Sequence, residues 1–196
     1  YMDIRKNKNR LHAKIKRFTL KATAAAILTL NAKAAMAAPC PLVISGSALA
    51  GAICDFVANP SVTVENGGTV GGILMANYQP INSFITVNAG GLVSNTTTIG
   101  IALTSSSSLS NGLLNNGTIS ALTGISVAGN NLVNGGLANS GLISAVNAGI
   151  SVSTSTMSNG LTNSGTISST SGVGISLLNS STISGGIFNS GLIGAN

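Results

Sequence analysis

From about residue 60 onward the apolar positions avoid helical spacing. They come in short phrases where apolar residues alternate with small or polar ones, as in Ile125-Ser126-Val127 and Ile150-Ser151-Val152, which is the period of a half-buried strand. Asn-Gly, Ser-Gly and Gly-Gly pairs separate the phrases and supply a positive φ or a tight corner. The phrases repeat. One begins at Gly112, Gly136, Gly160 and Gly186 and reads Gly-x-x-Asn-(Ser/Asn)-Gly-x-Ile. A second, Gly-Ile-x-(Leu/Val), begins at Gly100, Gly124, Gly149 and Gly174. A third and looser one is marked by Leu109, Leu132, Met157 and Ile183. All three advance together by 23 to 26 residues per period.

Three phrases in step predict three short strands per period. An Asn-Gly flanked by strands favours a β-hairpin when taken alone. Hairpins, however, give no reason for three phrases to keep step over four periods, whereas a coil with one strand on each of three faces does. The expected fold is all-β: a right-handed parallel β-helix of about 24–25 residues per coil, with each residue stacked on its copy about 4.8 Å away. Asn115, Asn139, Asn163 and Asn189 should then form a ladder at one corner. A hexapeptide β-helix would need apolar residues every six positions, and calcium-binding nonapeptide arrays need repeated Asp; neither pattern is present. A leucine-rich repeat usually places helix formers on its convex side, and Glu, Lys and Arg are missing from the array.

The first 37 residues follow another rule. Arg5 to Lys21 is strongly basic, Ala22–Leu30 is a short apolar core, and Ala35-Met36-Ala37 is a small-x-small site. That order predicts a secretory signal peptide cut after Ala37 or Ala38; its core is too short to span a bilayer. Cys40 would suit a lipid anchor, but Pro39 precedes it where a small residue is wanted. Tyr1 ahead of Met2 points to a start at Met2, and a repeat running unchanged to Asn196 points to a fragment. Residues 38–60 are expected to cap the helix and 61–196 to form it. The two cysteines, Cys40 and Cys54, are expected to pair in an oxidising compartment, stabilising by about 3 kcal/mol in the chain-entropy model. A metal site would need further Cys or His.

Charge narrows the function. The formal charge of +6 comes from nine Lys and Arg, all between Arg5 and Lys33; residues 38–196 carry only Asp55 and Glu65 and no His. Nucleic acid is excluded as a partner because it needs clustered basic groups, and polybasic docking on anionic lipid is excluded likewise. Residues 66–196 have no Asp, Glu, Lys, Arg, His or Cys, so a nucleophilic Ser would have no base. No catalytic residue, cofactor site or metal site is assigned. The one possible carboxylate pair, Asp55 and Glu65, would have to flank a single sugar to act as a glycosidase. Three N-glycosylation patterns, beginning at Asn95, Asn116 and Asn179, are those expected by chance in so Asn-, Ser- and Thr-rich a chain. Thr96-Thr97-Thr98 is a single run, too little for an ice-binding ladder.

The basic leader, the Cys pair just after it and the Gly-x-x-Asn-(Ser/Asn)-Gly-x-Ile repeats together resemble the passenger regions of bacterial autotransporters, including adhesin-like surface proteins. That resemblance implies a Gram-negative cell, export through the periplasm, and display of a β-helical stalk through a C-terminal outer-membrane barrel that this sequence does not contain. Low charge and closely spaced cysteines are similar to passengers that cross an outer membrane unfolded. The expected function is that of a non-enzymatic surface stalk or adhesin. It would meet a host-cell or glycan receptor, or like rods, through flat Ser, Thr and Asn faces. The alternative is the non-catalytic part of a secreted carbohydrate-active enzyme.

Overall fold

The computed structural model describes residues 42–46, 48–49, 51–55, 61–76 and 83–195. The expected signal peptide at 1–37 and Cys40 lie outside the described residues, and Cys54 is described in its backbone only; the disulfide expectation therefore has no structural counterpart here.

The described chain is all-β and winds in one direction. The first coil carries β1 (Leu42–Ile44), β2 (Ala48–Leu49) and β3 (Ala52–Asp55), and the second β4 (Ser61–Val64), β5 (Thr69–Val70) and β6 (Ile73–Ala76). The third has β7 (Phe84–Val87), β8 (Leu92–Thr104) and β9 (Ser108–Leu109). The fourth has β10 (Leu113–Asn115), β11 (Thr118–Ala128) and β12 (Leu132–Val133); the fifth has β13 (Leu137–Asn139), β14 (Leu142–Ser153) and β15 (Thr156–Met157). The sixth has β16 (Leu161–Asn163), β17 (Thr166–Ser169), β18 (Val173–Leu178) and β19 (Thr182–Ile183), and β20 (Ile187–Asn189) and β21 (Leu192–Ala195) open a seventh.

Every strand pairs in parallel with its copy one coil away. The strands make a 7-stranded sheet (A) from β1 to β20, a 10-stranded sheet (B) from β2 to β21, and a 4-stranded sheet (C) of β9, β12, β15 and β19. The chain is thus a parallel β-solenoid, and its Asn-Gly pairs turn corners instead of closing hairpins.

The core is a bundle of columns. Val62, Ile85, Leu113, Leu137 and Leu161 stack inside sheet A; Val93, Ile119, Ile143 and Ile167 stack inside sheet B; Leu109, Val133 and Met157 stack inside sheet C. All are at most 4% exposed. Alternation places every second strand residue inside, and stacking like on like fills the narrow interior without aromatic groups.

Four details depart from the sequence pattern. The first phrase spans a corner and feeds two sheets: Leu113–Asn115 belongs to sheet A and Thr118 onward to sheet B. The second phrase joins the same sheet, so that β8, β11 and β14 run for 13, 11 and 12 residues through a bend. Glycine permits that bend. A Cβ on Gly149 would lie 2.5 Å from Ile167 Cγ2 and 2.6 Å from the Gly174 carbonyl, so the column Gly100, Gly124, Gly149, Gly174 is where the two walls touch. The third phrase is shifted by one residue. Sheet C pairs Leu109, Val133, Met157 and Ile183, leaving Leu132 outside at 37% exposure while Val133 is 2% exposed; with a period of two, one step exchanges the faces. Finally, residues 42–55 already pair in register with the coil above, so strand stacking begins within the segment expected as a cap.

Candidate functional site

The four asparagines expected as a ladder form one. At the end of each sheet A strand they occupy one column, and the side chains join in a chain. Asn115 Nδ2 donates to Asn139 Oδ1, Asn139 Nδ2 to Asn163 Oδ1, and Asn163 Nδ2 to Asn189 Oδ1, each at 2.7 Å. Their second protons turn to corner carbonyls: Asn115 to Leu142 O, Asn139 to Thr166 O, and Asn163 to Leu192 O at 3.2–3.3 Å. The first three are 0–1% exposed, a depth at which an amide is tolerated only when bonded.

The ladder has a direction and a start. In the three coils before it the same column holds Ile44, Val64 and Val87, all buried. Asn115 Oδ1 therefore faces a coil with no donor and is buried without a hydrogen-bond partner. At the other end Asn189 is exposed.

A second polar column was missed by sequence reasoning although its spacing shows it: Ser107, Asn131, Ser155 and Ser181, just before sheet C. Asn131 is 2% exposed. Its Oδ1 accepts the Ser107 amide at 2.6 Å, and its Nδ2 donates to Leu103 O at 2.9 Å and Ala128 O at 2.7 Å. Ser155 Oγ donates to Ser153 O and accepts the Asn131 amide. Ser181 Oγ donates to Val152 O at 3.0 Å. Both polar columns satisfy the carbonyls freed where the chain leaves one sheet for the next.

The outer face of sheet B is regular. Ser94, Ser120, Ser144 and Ser168 share one column, and two residues earlier Thr69, Leu92, Thr118, Leu142, Thr166 and Leu192 alternate hydroxyl with isobutyl. At the bend between the arms of this sheet the coils differ in length: Thr96–Thr98 and Val146-Asn147 bulge outward where the fourth coil has only Leu122. Asn95 ties the first bulge down, its Oδ1 accepting the Thr98 amide at 3.0 Å and the Thr97 hydroxyl at 3.3 Å. Beneath it lies a shallow cleft of about 270 Å³ lined by Gly51, Gly72, Ile73, Asn95 and Ile99 among others. No charged residue lines it.

The two residues of the possible carboxylate pair lie at different elements. Glu65 stands at the corner after β4, where its Oε2 accepts Asn88 Nδ2 at 3.2 Å. Asp55 ends β3 opposite Ala76 at the far end of sheet B. Among the described residues no group of three metal-ligating side chains occurs, and no helix is long and apolar enough to cross a membrane.

The fold and its columns define a parallel β-solenoid whose described residues carry no charged side chain beyond Asp55 and Glu65. No family model matches the chain, and neither a curated protein nor a solved structure matches it.

Proposed function

We propose that this is an exported cell-surface protein whose solenoid serves as a stalk or adhesive rod and performs no catalysis. The observation that carries this reading is the outer face of sheet B, an array of Ser, Thr and Leu repeated from coil to coil. From residue 66 to 195 no side chain except Tyr78 can ionise in the ordinary pH range. Such a surface suits contact over many weak, evenly spaced groups: a host-cell or glycan receptor, or a neighbouring rod. Export rests on the basic leader with its small-x-small site, and an oxidising destination would pair Cys40 with Cys54. The autotransporter resemblance adds an outer-membrane barrel encoded downstream as the means of display.

The test is location followed by binding. Antibodies raised against residues 38–196 should label intact producing cells, and external protease should remove the signal. Purified protein should then adhere to host cells or immobilised glycans, with adhesion reduced when Ser120, Ser144 and Ser168 are replaced together by Lys. Antigen confined to the cytoplasm of intact cells would refute the proposal.

A further inference from the structure

Asparagine followed by glycine occurs five times in the chain, at Asn66, Asn111, Asn116, Asn134 and Asn159. Such a pair carries its own chemistry, because the glycine nitrogen, with no Cβ beside it, can reach the asparagine side-chain carbonyl. Folding decides which pair is free to react. The Gly67 amide donates to Gly90 O and the Gly117 amide to Val87 O, both at 3.1 Å; Gly112 and Gly160 are buried. Asn134 and Gly135 are both exposed, and the Gly135 amide donates to no acceptor among the described residues. The pair forms the centre of a turn between β12 and β13, closed by the Gly136 amide on Val133 O at 3.4 Å. A Cβ at residue 135 would lie 2.1 Å from the Asn111 carbonyl carbon, so the stacking of coils itself demands glycine here and leaves the nitrogen unshielded. Ser158 Oγ, one coil on, donates to Asn134 Oδ1 at 3.3 Å, where negative charge builds during attack.

We propose that Asn134-Gly135 is a self-modifying site, at which the folded chain turns a neutral amide into a carboxylate with water as the only co-reactant. The Gly135 nitrogen gives its proton to hydroxide and bonds to Asn134 Cγ. The Cγ–Nδ2 bond breaks, and the nitrogen takes a proton from water and leaves as ammonia, which restores the hydroxide and closes a cyclic imide. Water then opens the ring. Attack at Cγ breaks the new bond and leaves aspartate; attack at the Asn134 main-chain carbonyl leaves isoaspartate. The sum is asparagine plus water giving an aspartyl residue plus ammonia, with no change of oxidation state. The product is a negative charge within residues 66–196, which have no other charged side chain. It stands between Ser110 and Ser158, the residues that follow Leu109 and Met157 in sheet C. The inference does not depend on the stalk reading.

The test ages the full chain, folded, at mildly alkaline pH and maps the converted asparagines by mass spectrometry of its peptides. Asn134 should convert first of the five, about tenfold faster than Asn66 or Asn116, the factor expected when a backbone hydrogen bond must break before the nitrogen attacks. In urea the five pairs should converge on one rate, since the fold no longer distinguishes them. Asn134→Gln lengthens the side chain and disfavours ring closure, so it should abolish the early, more acidic form on anion exchange while circular dichroism stays unchanged. Another asparagine leading in the folded chain, or the same order of rates in urea, would overturn the proposal.

Discussion

A side chain in this solenoid is governed by the residues directly above and below it. Asn139 sits between two bonded amides, whereas Asn115 has an amide on one side and Val87 on the other. Asn139→Val should remove two ladder bonds and leave Asn163 Oδ1 buried without a donor, destabilising by about 1–3 kcal/mol. Asn115→Val loses one ladder bond and the bond to Leu142 O and only moves the orphan acceptor to Asn139, so it should cost less. Urea denaturation of residues 38–196 compares them, and equal losses would mean that the ladder carries little energy. The regular spacing of the asparagines is enough to make this column legible in the sequence. The orphaned Asn115 oxygen is not legible there, because it depends on which preceding residue shares the column, and the intervals ahead of residue 112 are irregular. The Ser107–Asn131–Ser155–Ser181 column is readable in principle, but identical Ser and Asn surround it.

At the level of the element, the alternation of Ile125-Ser126-Val127 was sufficient to find a strand, while the register of a two-residue strand was beyond it. In Asn131-Leu132-Val133-Asn134 either apolar residue could face inward, and pairing with Leu109 and Met157 selects Val133. Val133→Ala should therefore cost about 1–3 kcal/mol and Leu132→Ala less than about 0.5 kcal/mol, as read from thermal melts. The joining of two phrases into one bent strand was also hidden, because a glycine in sequence does not say whether it turns a corner or makes room. Gly149 makes room: Gly149→Ala drives a methyl into Ile167 and the neighbouring backbone and should destabilise by about 1–3 kcal/mol. Gly194, with nothing within 4 Å of its would-be Cβ, should accept Ala with little change. If Gly149→Ala were as mild as Gly194→Ala, the two walls would not be in contact there.

For the whole molecule, stability rests on stacked apolar columns and backbone ladders, with almost nothing that titrates. Beyond the basic leader the charged side chains are Asp55 and Glu65 alone, with no Lys, Arg or His. With Cys40 and Cys54 replaced by Ser, the denaturation midpoint of residues 38–196 should accordingly be flat between about pH 6 and 9 and insensitive to salt. A steep slope in that window would require an ionisable group that the stack does not hold. The overall architecture was the most legible level, since a period kept by three phrases can be satisfied by winding but not by independent hairpins. The central claim is that copies 24 to 26 residues apart lie on one another in parallel. Nuclear Overhauser contacts in isotope-labelled protein test it most directly. Winding predicts cross-peaks from Ile119 to Ile143, from Ile143 to Ile167 and from Leu113 to Leu137. Cross-strand contacts between Leu113 and Ser120, folded back over Asn116–Gly117 as a hairpin, would contradict it.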